Sequence, residues 1–192
     1  MRATRLVDLA QQFIAEVLKP GDVAIDATVG NGHDTAFLAR QVGPEGFVYG
    51  FDIQQVAINN TESRLRAQNL LERVELIRSS HENITTSIPI KHQSKIVAIM
   101  FNLGYLPSGD QLLTTHTKSS RCAAECAVNL IQPGGRVSIL AYPGHPGGLE
   151  ETETVKAYAV SLPIEFNTTI HTPDNQTKSP PELIVIKKKI KI

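Results

Sequence analysis

A chain of 192 residues, 41% apolar and with zero formal net charge, is long enough to bury its own core as one domain (1–192) without a disulfide or a metal. The charge balance excludes a global basic field of the kind that draws nucleic acid non-specifically, and leaves that task to a local patch. No apolar run reaches the length of a membrane span and the first residues lack a signal-peptide core, so a cytoplasmic protein with no membrane partner is expected.

Between Thr4 and Leu18 the residues Leu6, Leu9, Ala10, Phe13, Ile14, Val17 and Leu18 recur at helical spacing, and Lys19-Pro20-Gly21 stops the helix. Val23–Thr28 reads as a short buried strand, followed by a helix from His33 to Val42 and a turn at Gly43-Pro44-Glu45-Gly46. A second strand, Phe47–Asp52, leads into a crossover helix over Gln54–Asn69, and Val74–Ile77 is a third strand. Ser80–Ser87 is polar with a short helical turn. Lys95–Phe101 is almost unbroken in apolar character, as expected of a strand covered on both faces.

A long helix follows over roughly Leu112–Gln132, ended by Pro133-Gly134-Gly135, and then a fifth strand, Arg136–Tyr142. The loop Pro143–Gly148 precedes a helix over Leu149–Ser161. Two last strands, near Ile164–Ile170 and Leu183–Ile190, flank the loop Thr172–Pro181. Strands alternating with helices predict a doubly wound, Rossmann-like α/β sheet of seven mostly parallel strands. The last two strands have no helix between them and are expected to pair antiparallel at one edge. Cys122 and Cys126 lie one helical turn apart, too widely spaced for a disulfide, and read as reduced thiols.

The chemistry gathers where strands end. Asp26 closes the first strand, and Gly30-Asn31-Gly32 forms a glycine turn that leads into a helix beginning near Asp34 and Thr35. Strand, glycine turn and helix bring backbone N–H groups beside a nucleotide-like ligand. Asp52 ends the second strand, where a carboxylate accepts both hydroxyls of a ribose. This pair of acids indicates an adenosine-type ligand without choosing which. The third position of a G-x-G-x-x-G signature is Thr35, poor for close packing around a pyrophosphate. That favours a cofactor carrying an amino acid, S-adenosyl-L-methionine. Amides near Asp34 and Thr35 would hold its carboxylate, and Asp26 would attract its ammonium or orient the turn.

Ser80 and His81 follow the third strand and either hydrogen-bond an adenine edge or serve as a helix N-cap with a surface histidine. Asn102-Leu103-Gly104-Tyr105 ends the fourth strand at the switch point of the sheet. It is similar to the Asn-Pro-Pro-Tyr signature of amino-group methyltransferases, with both prolines replaced; alternatively Asn102 and Gly104 simply turn the chain. His145, in a Pro/Gly-dense loop, is either a wall of the substrate side or an idle surface residue. The scattered histidines and the cysteine pair do not form a metal motif. Arg64, Arg66, Arg73 and Arg78 read as solvated charges that together could touch phosphates, and Lys187–Lys189 with Lys191 as a solvated tail. The candidate cofactor set is Asp26, Thr28, Gly30, Asn31, Gly32, Asp34, Thr35, Asp52, Gln54, Ser80, His81 and Asn102; the candidate catalytic set is Asn102, Tyr105 and His145.

Three stretches together, Asp26-Ala-Thr-Val-Gly-Asn-Gly-His-Asp-Thr35, Phe101-Asn-Leu-Gly-Tyr-Leu-Pro107 and Tyr142-Pro-Gly-His-Pro-Gly-Gly148, resemble a known family. These are the small class I methyltransferases described as rRNA methylases (YtqB-like) and associated with tRNA 5-(aminomethyl)-2-thiouridine methyltransferase activity (MnmM-like). The resemblance runs over nearly the whole chain. It implies methylation of the 5-aminomethyl group on the wobble uridine of tRNA, with the anticodon stem-loop as partner, and a homodimer. Under it, Asn102 and the Leu103 carbonyl orient the amine, Tyr105 packs on the uracil, and His145 accepts the departing proton or holds the anticodon backbone. The rival readings are an rRNA or small-molecule amine substrate, a non-catalytic RNA module that binds S-adenosyl-L-methionine, and a nicotinamide-dependent oxidoreductase. The last is disfavoured by Thr35 and by the lack of a Tyr-x-x-x-Lys pair.

Overall fold

The computed structural model describes residues 5–104, 106, 114–173 and 179–190. Its strands are β1 (Val23–Asp26), β2 (Phe47–Asp52), β3 (Val74–Arg78), β4 (Ile96–Asn102), β5 (Arg136–Ala141), β6 (Phe166–His171) and β7 (Glu182–Lys188). The helices are α1 (Leu6–Ala15), α2 (His33–Val42), α3 (Gln55–Ala67), α4 (Ile84–Ser87), α5 (Ile90–Gln93), α6 (Thr117–Leu130) and α7 (Gly148–Val160). The short α5 was not expected. Of the helix expected over Leu112–Gln132, Leu112 and Leu113 lie outside the described residues, as does the middle of the loop Thr172–Pro181; Thr114–His116 are not helical, and the helix begins only at Thr117.

The strands form one sheet in the order β3-β2-β1-β4-β5-β7-β6. The first five run parallel. The expected antiparallel pairing at one edge is present, with a difference in detail: β7 is the strand that runs against the rest, and it inserts between β5 and β6. The ten residues between His171 and Glu182 are fewer than the dozen or more that a parallel crossover needs, so β6 and β7 pair antiparallel.

Alternation along each strand divides the core. Ala98 and Met100 of β4 join Ala24, Val48 and Leu140 under α1 and α2, whereas Ile99 and Phe101 join Ile25, Phe51 and Ile139 under α6 and α7. Helix α1 buries Leu6, Ala10 and Ile14 against this sheet, and full burial of a Leu or Ile contributes about 1.5–3 kcal/mol. It lies over β5 and β7, so its polar edge reaches the carboxyl ends of the strands. Strand order reverses between β1 and β4, and a crevice opens there beyond the strand ends.

Candidate active site

That crevice is a cleft of about 1090 Å³, walled by the ends of β1, β2 and β4 and by α1, the 79–82 segment and the 142–145 loop. The glycine turn forms its floor. Gly30 (φ +53°) and Gly32 (φ +75°) take the left-handed conformation that favours glycine. A Cβ on Gly32 would lie 2.6 Å from the Thr61 hydroxyl, so α3 packs directly against the turn. Arg64 fastens it from the same helix: its Nε donates to the Asn31 carbonyl at 2.7 Å. This arginine is therefore a strut of the turn rather than a solvated charge.

Asp52 is held by backbone on both oxygens, accepting from Gly30 N at 2.9 Å and from Gln54 N at 2.9 Å. Burial pushes its carboxyl above the usual range, against these hydrogen bonds. Each oxygen retains a second lone pair. The arrangement offers two fixed acceptor sites, which suits a vicinal diol. Gln54, Thr28, Gly30, Asn31, Asp34 and Asn102 line the cleft beside it.

Three members of the candidate cofactor set stand behind the wall instead of on it. Asp26 and Thr35 are almost wholly buried. Thr35 Oγ1 donates to Asp26 Oδ2 at 2.6 Å, and Thr28 N donates to Asp26 Oδ1 at 3.2 Å. Asp26 thus orients the turn, and the ammonium-attracting role expected for it is not open to a side chain so enclosed. Gly32 likewise faces α3. Burial, and then the charge of Asp34, pushes the Asp26 carboxyl up to about 7.

Asp34 is the charged centre of the wall. It accepts from Gln11 Nε2 of α1 at 2.7 Å, and its other oxygen accepts from the Asn102 side-chain amide. The Asn102 backbone N–H donates to Thr28 Oγ1 at 2.6 Å. The glycine-turn side and the β4 end are therefore locked together. Because a carboxylate can only accept, it takes the NH₂ end of Asn102, and Oδ1 remains as the acceptor end of that amide.

Ser80 and His81 both line the cleft. Ser80 does cap the following turn, accepting from Glu82 N at 3.4 Å. His81, by contrast, is buried and not a surface residue; its ring meets Phe101 nearly edge-on, with centroids 6.0 Å apart. Burial lowers its pKa to about 4, outweighing a hydrogen bond to the Ala27 backbone, so the imidazole is neutral.

Tyr105 lies outside the described residues. His145 lines the cleft, but its side chain is only 5% exposed and turns inward, with Nε2 3.9 Å from Glu151 Oε2. The ring fits there because residue 148 is glycine: a Cβ would lie 2.8 Å from it. A ring so enclosed is not available to grip an anticodon backbone, which corrects that expectation.

Sequence reasoning missed Gln11, Tyr142 and Glu151. Tyr142 is 40% exposed at the end of β5 and faces the cleft. Burial, and then the charge of Asp34, raises its phenol pKa. Glu151 carried a readable signal, since it precedes Val155 and Ala159 at i, i+4, i+8 and so falls on the apolar face of α7. Among the described residues no cluster of His, Cys, Asp and Glu has the arrangement of a metal site.

Comparison with known proteins agrees with this fold. The "Putative rRNA methylase" family model matches residues 48–187. A chloroplastic tRNA (mnm(5)s(2)U34)-methyltransferase of Arabidopsis thaliana is 37% identical over 168 residues, covering 83% of this chain and 61% of that protein. The chain spans less than two thirds of the length of the curated relatives it matches. A Clostridium thermocellum protein whose crystal structure carries the same rRNA-methylase description is 38% identical. It superposes with a TM-score of 0.92 over 98% of this chain and 100% of its own. A Streptococcus mutans protein crystallised in complex with SAH is 33% identical, with a TM-score of 0.85 over 96% of this chain and 98% of the other. Fold, cleft and comparisons converge, and the chain belongs to the rRNA methylase family of class I methyltransferases.

Proposed function

We propose that this chain is an S-adenosyl-L-methionine-dependent N-methyltransferase of tRNA. It acts on the 5-aminomethyl group of wobble 5-aminomethyl-2-thiouridine and gives 5-methylaminomethyl-2-thiouridine. The observation that carries this reading is the Asn102–Asp34 contact, which presents an amide oxygen at the switch point beside an adenosine-type cradle. The name of the Arabidopsis relative supports the tRNA substrate, and the SAH bound by the Streptococcus mutans protein supports the cofactor.

The wall residues fit that cofactor. Asp52 would supply paired acceptors for ribose hydroxyls, neutral His81 and Ser80 would face the adenine, and the Gly30 turn would let the backbone approach the cofactor closely. When bound, S-adenosyl-L-methionine supplies an electrophilic methyl group on a sulfonium. The chain's own residues then have three tasks. Asn102 Oδ1 and the Leu103 carbonyl accept from the substrate amine and aim its lone pair, which is worth most when the reacting atoms are already aligned. Desolvation in the cleft keeps the amine neutral and nucleophilic. The 142–145 wall excludes water. The partners under this reading are the anticodon stem-loop and a second copy of the chain, and the free thiols of Cys122 and Cys126 suit a reducing cytoplasmic setting.

The test is calorimetry with S-adenosyl-L-methionine and with NADH, followed by transfer of labelled methyl groups to separated tRNA and rRNA. Binding of S-adenosyl-L-methionine and label in tRNA are expected. Tight NADH binding alone, or label confined to rRNA, would overturn the reading.

A further inference from the structure

Glu151 is 2% exposed, on the face of α7 that also buries Thr152, Val155 and Ala159. A carboxylate is expensive to bury and persists only where several donors hold it. Here Ser120 Oγ of α6 donates to Oε1 at 2.5 Å and Thr115 Oγ1 donates to Oε2 at 2.8 Å. The same Oε2 lies 3.9 Å from His145 Nε2.

Thr115 passes this anchorage on. Its hydroxyl accepts from Gly104 N at 2.8 Å, and its backbone N–H donates to the Gly104 carbonyl at 2.9 Å. Gly104 has φ +141°, a conformation few other residues adopt, and it stands two positions after Asn102. The backbone that carries Asn102 and Leu103 is thereby clamped, through one threonine, to a buried carboxylate. The loop that carries His145 ends against the same group. Among the described residues, neither Glu151 nor Thr115 touches the glycine turn or Asp52; the strand end they hold meets that side only through Asn102.

We propose that Glu151 is a positioning residue for the acceptor side of the cleft. It fixes the Asn102–Gly104 strand end through Thr115, with no contact of its own to the cofactor half. The proposal rests on the methyltransferase reading above. It predicts a separation between catalysis and cofactor affinity that a merely structural carboxylate would not give.

The variants are Glu151→Gln and Thr115→Val, alone and together. Methylation of tRNA carrying 5-aminomethyl-2-thiouridine should show kcat lowered at least tenfold in each, with SAH affinity within twofold of the original protein. The double variant should be no worse than either single one, because both break one chain of contacts. Amide hydrogen exchange gives a readout independent of activity: Gly104 and Thr115 should exchange at least tenfold faster in Glu151→Gln, while the amides of β1 do not change. If Glu151→Gln does not fold, Thr115→Val leaves the Ser120 bond intact and carries the same test. An unchanged kcat, a parallel loss of SAH affinity, additive effects, or unchanged exchange at Gly104 and Thr115 would overturn the role of Glu151. If the original protein does not methylate this RNA, the substrate reading fails, and the exchange experiment still decides whether Glu151 holds the strand end.

Discussion

The side-chain amide of Asn102, at the end of β4, donates to the carboxylate of Asp34 in the first turn of α2. The contact spans the switch point of the sheet, and Gln11 of α1 reinforces it from the far side. It engages the NH₂ end of the Asn102 amide and, under the proposed function, leaves Oδ1 for the substrate. Removing the amide in Asn102→Ala should lower kcat about 10²–10³-fold, the range for losing one preorganised polar group at a reacting centre. SAH affinity should remain within about threefold. Steady-state kinetics paired with calorimetry checks this, and a loss confined to SAH binding would place Asn102 with the cofactor alone.

Asp52 should behave in the opposite way. Asp52→Ala removes the acceptor of both Gly30 N and Gln54 N and deletes the paired lone pairs proposed for the ribose. Hydrogen bonds to a charged group are worth about 1.5–3 kcal/mol each, so losing two should weaken SAH binding by about 10²-fold or more. Calorimetry that finds less than a threefold change would remove Asp52 from the cofactor site.

Gly32→Ala should destabilise the fold. The left-handed φ costs about 1–2 kcal/mol for an L-residue, and the new Cβ collides with the buried Thr61 side chain at 2.6 Å. A fall of roughly 5–10 °C in Tm is expected at the ~2–4 °C per kcal/mol usual for a chain of this size. A Tm within 1 °C of the original, on the order of a quarter to half a kcal/mol, would show that α3 yields and that the turn is not rigidly seated.

Two buried groups should give stability opposite slopes with pH. The Asp26 carboxyl titrates near 7 in the fold and near 4 when unfolded, so between those values the folded form holds a proton the unfolded form lacks. Its contribution declines as pH rises from about 4 to 7. His81 titrates near 4 in the fold and about 6.5 unfolded, so its contribution is present above 6.5 and lost as pH falls towards 4. Relative to the original protein, Asp26→Asn should gain several degrees of Tm on going from pH 5 to 8. His81→Gln should gain on going from pH 7 to 5. A Tm difference that is constant with pH for either variant would contradict its assignment.

Much of this was legible in the sequence because strand ends and glycine turns are local features. The apolar run Lys95–Phe101 announces a central strand by composition, and Gly30-Asn31-Gly32 with Asp52 marks a cradle by spacing. The roles of individual acids were harder to read. Asp26 looks like a ligand-binding acid until its depth is known, and only packing shows that Thr35 and Thr28 enclose it. Gln11 lies 23 residues before Asp34, and no local pattern pairs them. Arg64 reads as a surface charge because its partner, the Asn31 carbonyl, is brought to it by the α2–α3 packing. Such relationships are tertiary, and spacing does not encode them.

The most direct test of the account is nucleoside mass spectrometry of tRNA bearing 5-aminomethyl-2-thiouridine, incubated with the protein and S-adenosyl-L-methionine. The account predicts a mass gain of one methyl group on that nucleoside, lost in Asn102→Ala. Cofactor binding in calorimetry with no methyl gain on that nucleoside would contradict it.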